Sequence, residues 1–377
     1  MKKISYWSPF LSNVATIKNV INSAISLKKY SNNYEVTIID VMGEWSSFRK
    51  LLEENRIKVK NINNFEFNLP ITGYFKSRFF SILIILRSYF SLKNYIVTNK
   101  PNYLIIHLIT SLPLLLLVFN NFDTKFILRI SGLPKINFLR KALWKLISKK
   151  VHYITCPSKE TILEIKKKRL FDERKIKILY DPIIKISNIN KSRNINNFKF
   201  SHEFFLNIGR LTNQKNQKIL IDLFHNLIKK KKDLILYIIG DGEKKFKLLK
   251  KIKKLNLQNN IFLLGHKNNV FPYIKKAKAV IVSSLWEDPG AVMIETAFCN
   301  TPIISSNCPN GPNEFISNNH GGYLFKNNNH CSLENSLNLF LNESQKQIHK
   351  KKIFAKKKTK YYTIYNHFKL LNKILNA

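Results

Sequence analysis

Acidic residues are scarce in this sequence: 23 Asp and Glu stand against 64 Lys and Arg, a formal net charge of +41. Such a balance points to an anionic partner, either nucleic acid or a membrane surface rich in acidic lipid. Lys, Asn and Ile are over-used together, which an AT-rich genome also produces, and a membrane contribution can coexist with that bias. Cysteine is scarce too. Cys156, Cys299, Cys308 and Cys331 form no Cys-x-x-Cys pair, which fits buried thiols in a reducing compartment rather than a disulfide framework. There is no His-x-x-x-His pair with a neighbouring Glu and no Asp-x-Asp. No zinc site or metal-holding carboxylate pair is therefore readable, and neither a metal nor a cofactor is expected.

Long charge-free runs are few. Residues 101–122 approach the length of a membrane span, but Pro113 lies near the middle with His107, Thr110 and Ser111 around it. That pattern reads as a strand at Tyr103–Ile106, a loop and a short buried helix. Residues 79–90 are too short for a span and contain Arg87. Lys2 and Lys3 run straight into Ile4-Ser5-Tyr6-Trp7 and then Pro9, with no apolar core behind them. No signal peptide is read, and a cytoplasmic protein is expected.

What is present is a chain of 377 residues, 45% of them hydrophobic, enough for two ordinary domains. In the second half, predicted strands at 204–208, 234–239, 261–264, 279–282 and 302–305 alternate with helices, as in a parallel sheet covered on both faces. The first half repeats the scheme less regularly, with predicted strands at 3–7, 35–40, 103–106, 126–130 and 153–155. The polar stretch 187–197 looks like a linker. The expected organisation is a domain over 1–184, a linker over 185–200, a second domain over 201–350, and a C-terminal helix over 351–377 packing back toward the first domain.

Ligands of open parallel sheets bind where loops leave the carboxyl ends of strands, and three loops of the second half carry unusual chemistry. The first is Gly209-Arg210-Leu211-Thr212-Asn213-Gln214-Lys215, where a guanidinium and an ammonium could hold a diphosphate. Gly240-Asp241-Gly242 is the second, with Gly265 closing the next strand; glycine allows a close backbone approach. The third runs from Ser284 to Glu295. Asp288 suits a helix N-cap and Pro289 the first helical position, which puts Glu287 in the loop and Glu295 in the second turn. Eight positions of helix rise ~12 Å, roughly the span from a ribose to the sugar of a nucleotide diphosphate sugar. Carboxylates at the two ends would accept hydroxyl hydrogen bonds, and N–H groups near Gly290 and Ala291 would face phosphate. A capped surface helix with two incidental acids fits the same spacing.

Residues 206–325 resemble the nucleotide-sugar domain of retaining glycosyltransferase family 4. The resemblance rests on ordered motifs: Gly209-Arg210-Leu211 with Lys215, the Gly-x-Gly turn, Glu287 and Glu295 separated by seven residues, Cys299-Asn300-Thr301-Pro302-Ile303, Pro309-Asn310-Gly311-Pro312-Asn313-Glu314, and Gly321 to Phe325. The chain departs from the pattern at Asp288-Pro289, where the family has Gly-Phe, so contacts to the donor sugar are expected to differ there. The first half matches more loosely. Ser12-Asn13-Val14 stands where the family has a glycine-rich loop, on the acceptor side, and His107 follows a middle strand where the family places a His near the reacting sugar.

The resemblance implies an α/β protein of the GT-B class, two Rossmann-like doubly wound domains facing across a cleft. It implies a metal-independent hexosyltransferase using a UDP- or GDP-linked sugar, with a glycan or lipid-linked acceptor in surface polysaccharide synthesis. Glu287, His107, Arg210 and Lys215 become candidate catalytic groups. Glu295, Gly209, Gly240, Gly242, Gly265, Asp288, Pro289, Gly290 and Ala291 become candidate donor contacts. A nucleotide-sugar epimerase of the same fold is the alternative, and a basic nucleic-acid-binding protein is another. The scattered aromatic residues form no RNA-binding signature, and no nucleic acid partner is expected. Residues 73–93 interleave Lys76, Arg78 and Arg87 with Phe75, Phe79, Phe80, Ile82, Leu83 and Ile84. That mixture suits an interfacial helix on anionic lipid, at the inner face of the plasma membrane.

Overall fold

The computed structural model describes the chain apart from residues 13, 66, 68–73, 133–135, 194–199, 201 and 230. It forms two compact units, one of residues 1–182 with 364–377 and one of residues 183–363.

The first unit alternates β1 (Lys2–Trp7), α1 (Ala15–Tyr30), β2 (Tyr34–Asp40), α2 (Arg49–Glu54), β3 (Lys58–Asn61), α3 (Tyr74–Asn99), β4 (Tyr103–Ile106), α4 (Ser111–Phe119), β5 (Lys125–Arg129), α5 (Phe138–Ile147), β6 (Tyr153–Cys156), α6 (Lys159–Lys167) and β7 (Ile176–Ile178). The seven strands pair in parallel in the order β3-β2-β1-β4-β5-β6-β7. Both faces are covered, so successive side chains enter two different cores. Trp7, Ile39, Leu104 and Phe126 pack in one, and their neighbours Tyr6, Ile38, Ile105 and Ile127 in the other.

The second unit runs α7 (Ile186–Arg193), β8 (Phe205–Ile208), α8 (Gln217–Ile228), β9 (Leu236–Ile239), α9 (Lys245–Lys254), β10 (Ile261–Leu263), α10 (Phe271–Lys276), β11 (Ala279–Val282), α11 (Ala291–Phe298), β12 (Ile303–Asn307), α12 (Pro312–Ile316), β13 (Tyr323–Lys326), α13 (His330–Asn342) and α14 (Gln345–Lys358). Its six strands are also parallel, in the order β10-β9-β8-β11-β12-β13. In each sheet the winding reverses beside the first strand, at β1/β4 and at β8/β11, and the carboxyl ends there are where open α/β sheets bind ligands.

The chain then returns to the first unit as α15 (Ile364–Leu375), which packs on α1. His367 fastens it. Its Nδ1 lies 2.6 Å from the carbonyl of Tyr180 and its Nε2 2.8 Å from Ser23 Oγ. A carbonyl only accepts, so Nδ1 carries the proton and Nε2 accepts from the hydroxyl.

Four expectations change. The stretch read as linker contains α7, which belongs to the second unit. Residues 351–377 are not one helix: a 3-10 turn at Thr359–Tyr362 separates α14 from α15. The apolar stretch read as short continues through Arg87 as a helix of 26 residues. Its Lys76–Asn99 part is long and apolar enough to cross a membrane by length and composition. Finally, α11 starts at Ala291 with Gly290 at its N-cap, so neither Asp288 nor Pro289 holds the position expected of it. Gly290 has φ 98°, a turn that suits glycine far better than a side chain with a β-carbon.

Candidate active site

Three strand ends of the second unit are tied into one rim. The N–H of Gly209 donates to the carbonyl of Ile239, and that of Gly240 to the carbonyl of Gly265. Leu211 N–H donates to the carbonyl of Asp241. The approach is close enough to require glycine: a β-carbon on Gly240 would lie 1.9 Å from the Gly209 carbonyl oxygen, and one on Gly242 2.5 Å from that of Leu211. The Gly-x-Gly turn thus has a steric cause inside the protein, quite apart from any ligand. Arg210 is exposed on this rim.

Lys215, six positions after Gly209, turns inward. Its Nζ lies 2.5 Å from Glu287 Oε1, an oxygen that also accepts from Ser284 Oγ at 2.6 Å. Both charged side chains are largely buried, 18% and 10% exposed. A buried cation and anion are tolerable only when paired and further hydrogen-bonded, and the loops supply that setting. Leu285 N–H donates to Gln214 O, and Gln214 Nε2 to Trp286 O at 3.0 Å. Glu287 and the Pro309-Asn310 segment exchange backbone bonds, Glu287 N–H to Pro309 O and Asn310 N–H to Glu287 O, each 2.7 Å. Ser306 Oγ reaches Ser284 O. Cys308 stands nearby with its thiol pushed up to about 11, chiefly by burial and also by the charge of Glu287, so it is a neutral packing group.

Sequence spacing treated Lys215 and Glu287 as separate ligands for phosphate and sugar; the fold makes them one unit. Glu295 lies in the second turn of α11 and is half-buried. Asp288 is half-buried and Pro289 buried beside Gly311, where an added β-carbon would meet the Pro289 carbonyl at 2.5 Å. The backbone N–H groups of Ala291 and Val292 head α11, where intrahelical acceptors run out. The hydrogen bonds that Ser284 and the Pro309-Asn310 backbone make to Glu287, and that Ser306 makes to Ser284, were not legible in the sequence, because they are tertiary contacts.

In the first unit, Ser12 lies between β1 and α1, and Asn13 is outside the described residues. His107 follows β4 and is buried, with its N–H bonded to Trp7 O and its Nδ1 3.5 Å from Ser131 Oγ. Nε2 is buried without a protein partner. Burial, with the charge of Arg129 adding to it, holds the imidazole well below the usual histidine range, so the ring is neutral. Behind it Arg129 is satisfied internally, by Asp181 Oδ1 at 2.5 Å and Leu179 O at 2.6 Å.

Residues 188–360 match the family profile described as Glycosyl transferases group 1. The chain is similar to an uncharacterized glycosyltransferase of Methanocaldococcus jannaschii, with 31% identity over 77% of this chain and 73% of that one. It is also similar to the N-acetylgalactosamine-N,N'-diacetylbacillosaminyl-diphospho-undecaprenol 4-alpha-N-acetylgalactosaminyltransferase of Campylobacter jejuni, at 27% identity over 67% of each. The solved structure of Anabaena HepE in complex with UDP superimposes with a TM-score of 0.73 across 100% of both chains, at 16% identity. The chain therefore belongs to the group 1 glycosyltransferases and has their GT-B fold.

Proposed function

We propose that the second unit binds a UDP- or GDP-linked sugar and that the enzyme transfers its hexose-type sugar, with retained anomeric configuration, to a glycan or lipid-linked glycan in surface polysaccharide synthesis. The observation that carries this reading is the Lys215–Glu287 pair seated on the Gly209–Arg210 rim. It places a fixed cation beside an exposed one at the carboxyl ends where such sheets bind phosphates. Arg210 and Lys215 hold the diphosphate, Glu287 is the positioning group for Lys215, and the backbone around Gly290 and Ala291 meets the sugar phosphate. Glu295 accepts hydroxyl hydrogen bonds. The loops of Gly209, Gly240, Gly242 and Gly265 seat the nucleoside, and Asp288 and Pro289 shape the sugar end.

In the reaction the bond between the anomeric carbon and the phosphate oxygen breaks, and the acceptor oxygen bonds to that carbon on the same face. The acceptor's proton passes to the departing phosphate. Charge grows on the diphosphate, and preorganised cations stabilise it, which is why no metal is invoked. Neutral His107, with Ser12 and Asn13 on the acceptor side, hydrogen-bonds hydroxyls. The UDP bound to HepE and the diphospho-undecaprenol in the name of the Campylobacter relative support these choices of donor and acceptor.

A lipid-borne acceptor requires a place at a membrane. Phe79, Ile82, Leu86 and Phe90 are 57–78% exposed along one stripe of α3, while Ile84, Ser88, Leu92 and Tyr95 are buried on the other. Exposed Phe138, Leu139 and Leu146 extend the apolar surface on α5. Residues 74–151 contain a single acid, Asp123. An apolar surface ringed by cations suits the anionic inner face of the plasma membrane. Thermal melting against a panel of nucleotides tests the donor reading: a ligand of the folded state raises the melting temperature, and no shift with UDP, GDP or their sugars would count against it.

A further inference from the structure

The first unit contains a cavity of about 380 Å³ between the ends of β4 and β5 and the helices α3 and α5. Its lining includes His107, Ser131, Ser81, Ile85, Arg140 and Trp144. His107 is 7% exposed, and its buried Nε2 has no protein partner, a feature that calls for a ligand or water. Arg140 comes from α5. Arg78 stands on α3 one turn before Ser81, on the same face. The two guanidiniums are near enough that Arg78, after burial, lowers the pKa of Arg140. Guanidiniums offer forked hydrogen bonds, a geometry that suits an anion with several oxygens. The two helices that bring them together also carry the solvent-facing Phe79, Ile82 and Leu86 and Phe138, Leu139 and Leu146.

We propose that this cavity receives the phosphate or diphosphate of a lipid-linked acceptor, gripped by Arg78 and Arg140, with the hydrocarbon chain leaving along α3 and α5 and the glycan end at His107. The proposal deepens the lipid-linked acceptor reading and rests on it. Both cations then act on the acceptor, not on the donor, and the site selects an amphiphile over a water-soluble glycan.

Geranyl diphosphate serves as the probe, with geraniol and pyrophosphate as its halves, titrated into the full chain while tryptophan emission is followed. Trp144 lies on the cavity wall, so Trp144→Phe identifies its share of the signal. Geranyl diphosphate is expected to saturate, pyrophosphate to bind more weakly and geraniol not to bind. Arg78→Gln and Arg140→Gln should each weaken geranyl diphosphate about tenfold or more, as loss of a charged hydrogen bond does, with Arg140→Lys partly restoring it. Melting shifts given by nucleotides should be unchanged in all of them, and Arg210→Ala should leave geranyl diphosphate binding intact. No binding, or equal binding in the arginine variants, overturns the proposal. Binding lost in Arg210→Ala would assign the probe to the donor site and also overturn it. Equal affinity for pyrophosphate would replace the lipid by a soluble phosphate. In each case a normal nucleotide shift leaves the glycosyltransferase reading standing, whereas its absence counts against that reading alone.

Discussion

Lys215 and Glu287 lie 72 residues apart in sequence and 2.5 Å apart at their charged atoms. The loop after β8 therefore cannot be set independently of the loop after β11. Removing one partner leaves a largely buried charge uncompensated. Glu287→Ala is expected to destabilise the second unit by about 1–3 kcal/mol, below the full cost for a wholly buried pair, and to lower turnover about a hundredfold. Lys215→Ala should do the same, and the double variant should be far from additive. Independent, additive effects in melting and kinetics would show that the pair is not a unit.

Gly240 and Gly265 separate two reasons for glycine. A β-carbon at Gly240 would strike the Gly209 carbonyl at 1.9 Å, whereas nothing lies within 4 Å of one at Gly265, whose φ is 68°. Gly240→Ala should disrupt the rim and abolish nucleotide-dependent stabilisation. Gly265→Ala should cost only about 1–2 kcal/mol of left-handed strain and keep binding. Equal behaviour of the two in nucleotide melting assays would contradict the rim geometry.

His367 is buried and held at about 3, mainly by burial, so it is neutral when folded. An unfolded histidine near 6.5 takes up a proton first. The unfolded state thus binds more protons below that pH, and the contribution to stability, present above about 6.5, is lost as pH falls toward 3. Denaturation of wild type and His367→Gln should show a difference that shrinks over that window. A difference independent of pH would mean that the tie to Tyr180 and Ser23 does not depend on the neutral ring.

At the membrane, sedimentation with phosphatidylglycerol vesicles should carry the protein down at low salt and release it at high salt. Replacing Lys76 and Arg87 with Gln, or Phe79 and Leu86 with Ser, should weaken binding severalfold. Protein that stays in the supernatant at low salt would remove the membrane surface and make a soluble acceptor the better assignment.

Much of the fold was legible because parallel strands buried on both faces are continuous apolar runs. Tyr103–Ile106 and Ala279–Val282 coincide with their predicted bounds. The edges were not legible. β3 reads Lys-Val-Lys-Asn, with three of its four residues exposed, and β7 has only three residues. α3 was shortened because apolar residues occupy both its faces, which erases the helical period. At the site, the residue types and their loops could be read, but the partnership of Lys215 with Glu287 could not. It is a tertiary contact, and each residue has its own sensible ligand when considered alone. The helix start failed for a local reason: Asp288-Pro289 is a good opening pair, yet Gly290 takes the cap.

The central claim, that the second unit's loops activate a nucleotide diphosphate sugar, is tested most directly by release of the nucleoside diphosphate from its sugar. Purified wild type, Arg210→Ala and Glu295→Ala would be compared, with and without EDTA. The account predicts release by wild type that EDTA does not change, and a fall of about a hundredfold or more in both variants with the melting temperature kept, since the proposal has each residue act on the substrate. Near-wild-type release by either variant, or strong inhibition by EDTA reversed by Mg²⁺ or Mn²⁺, would contradict it.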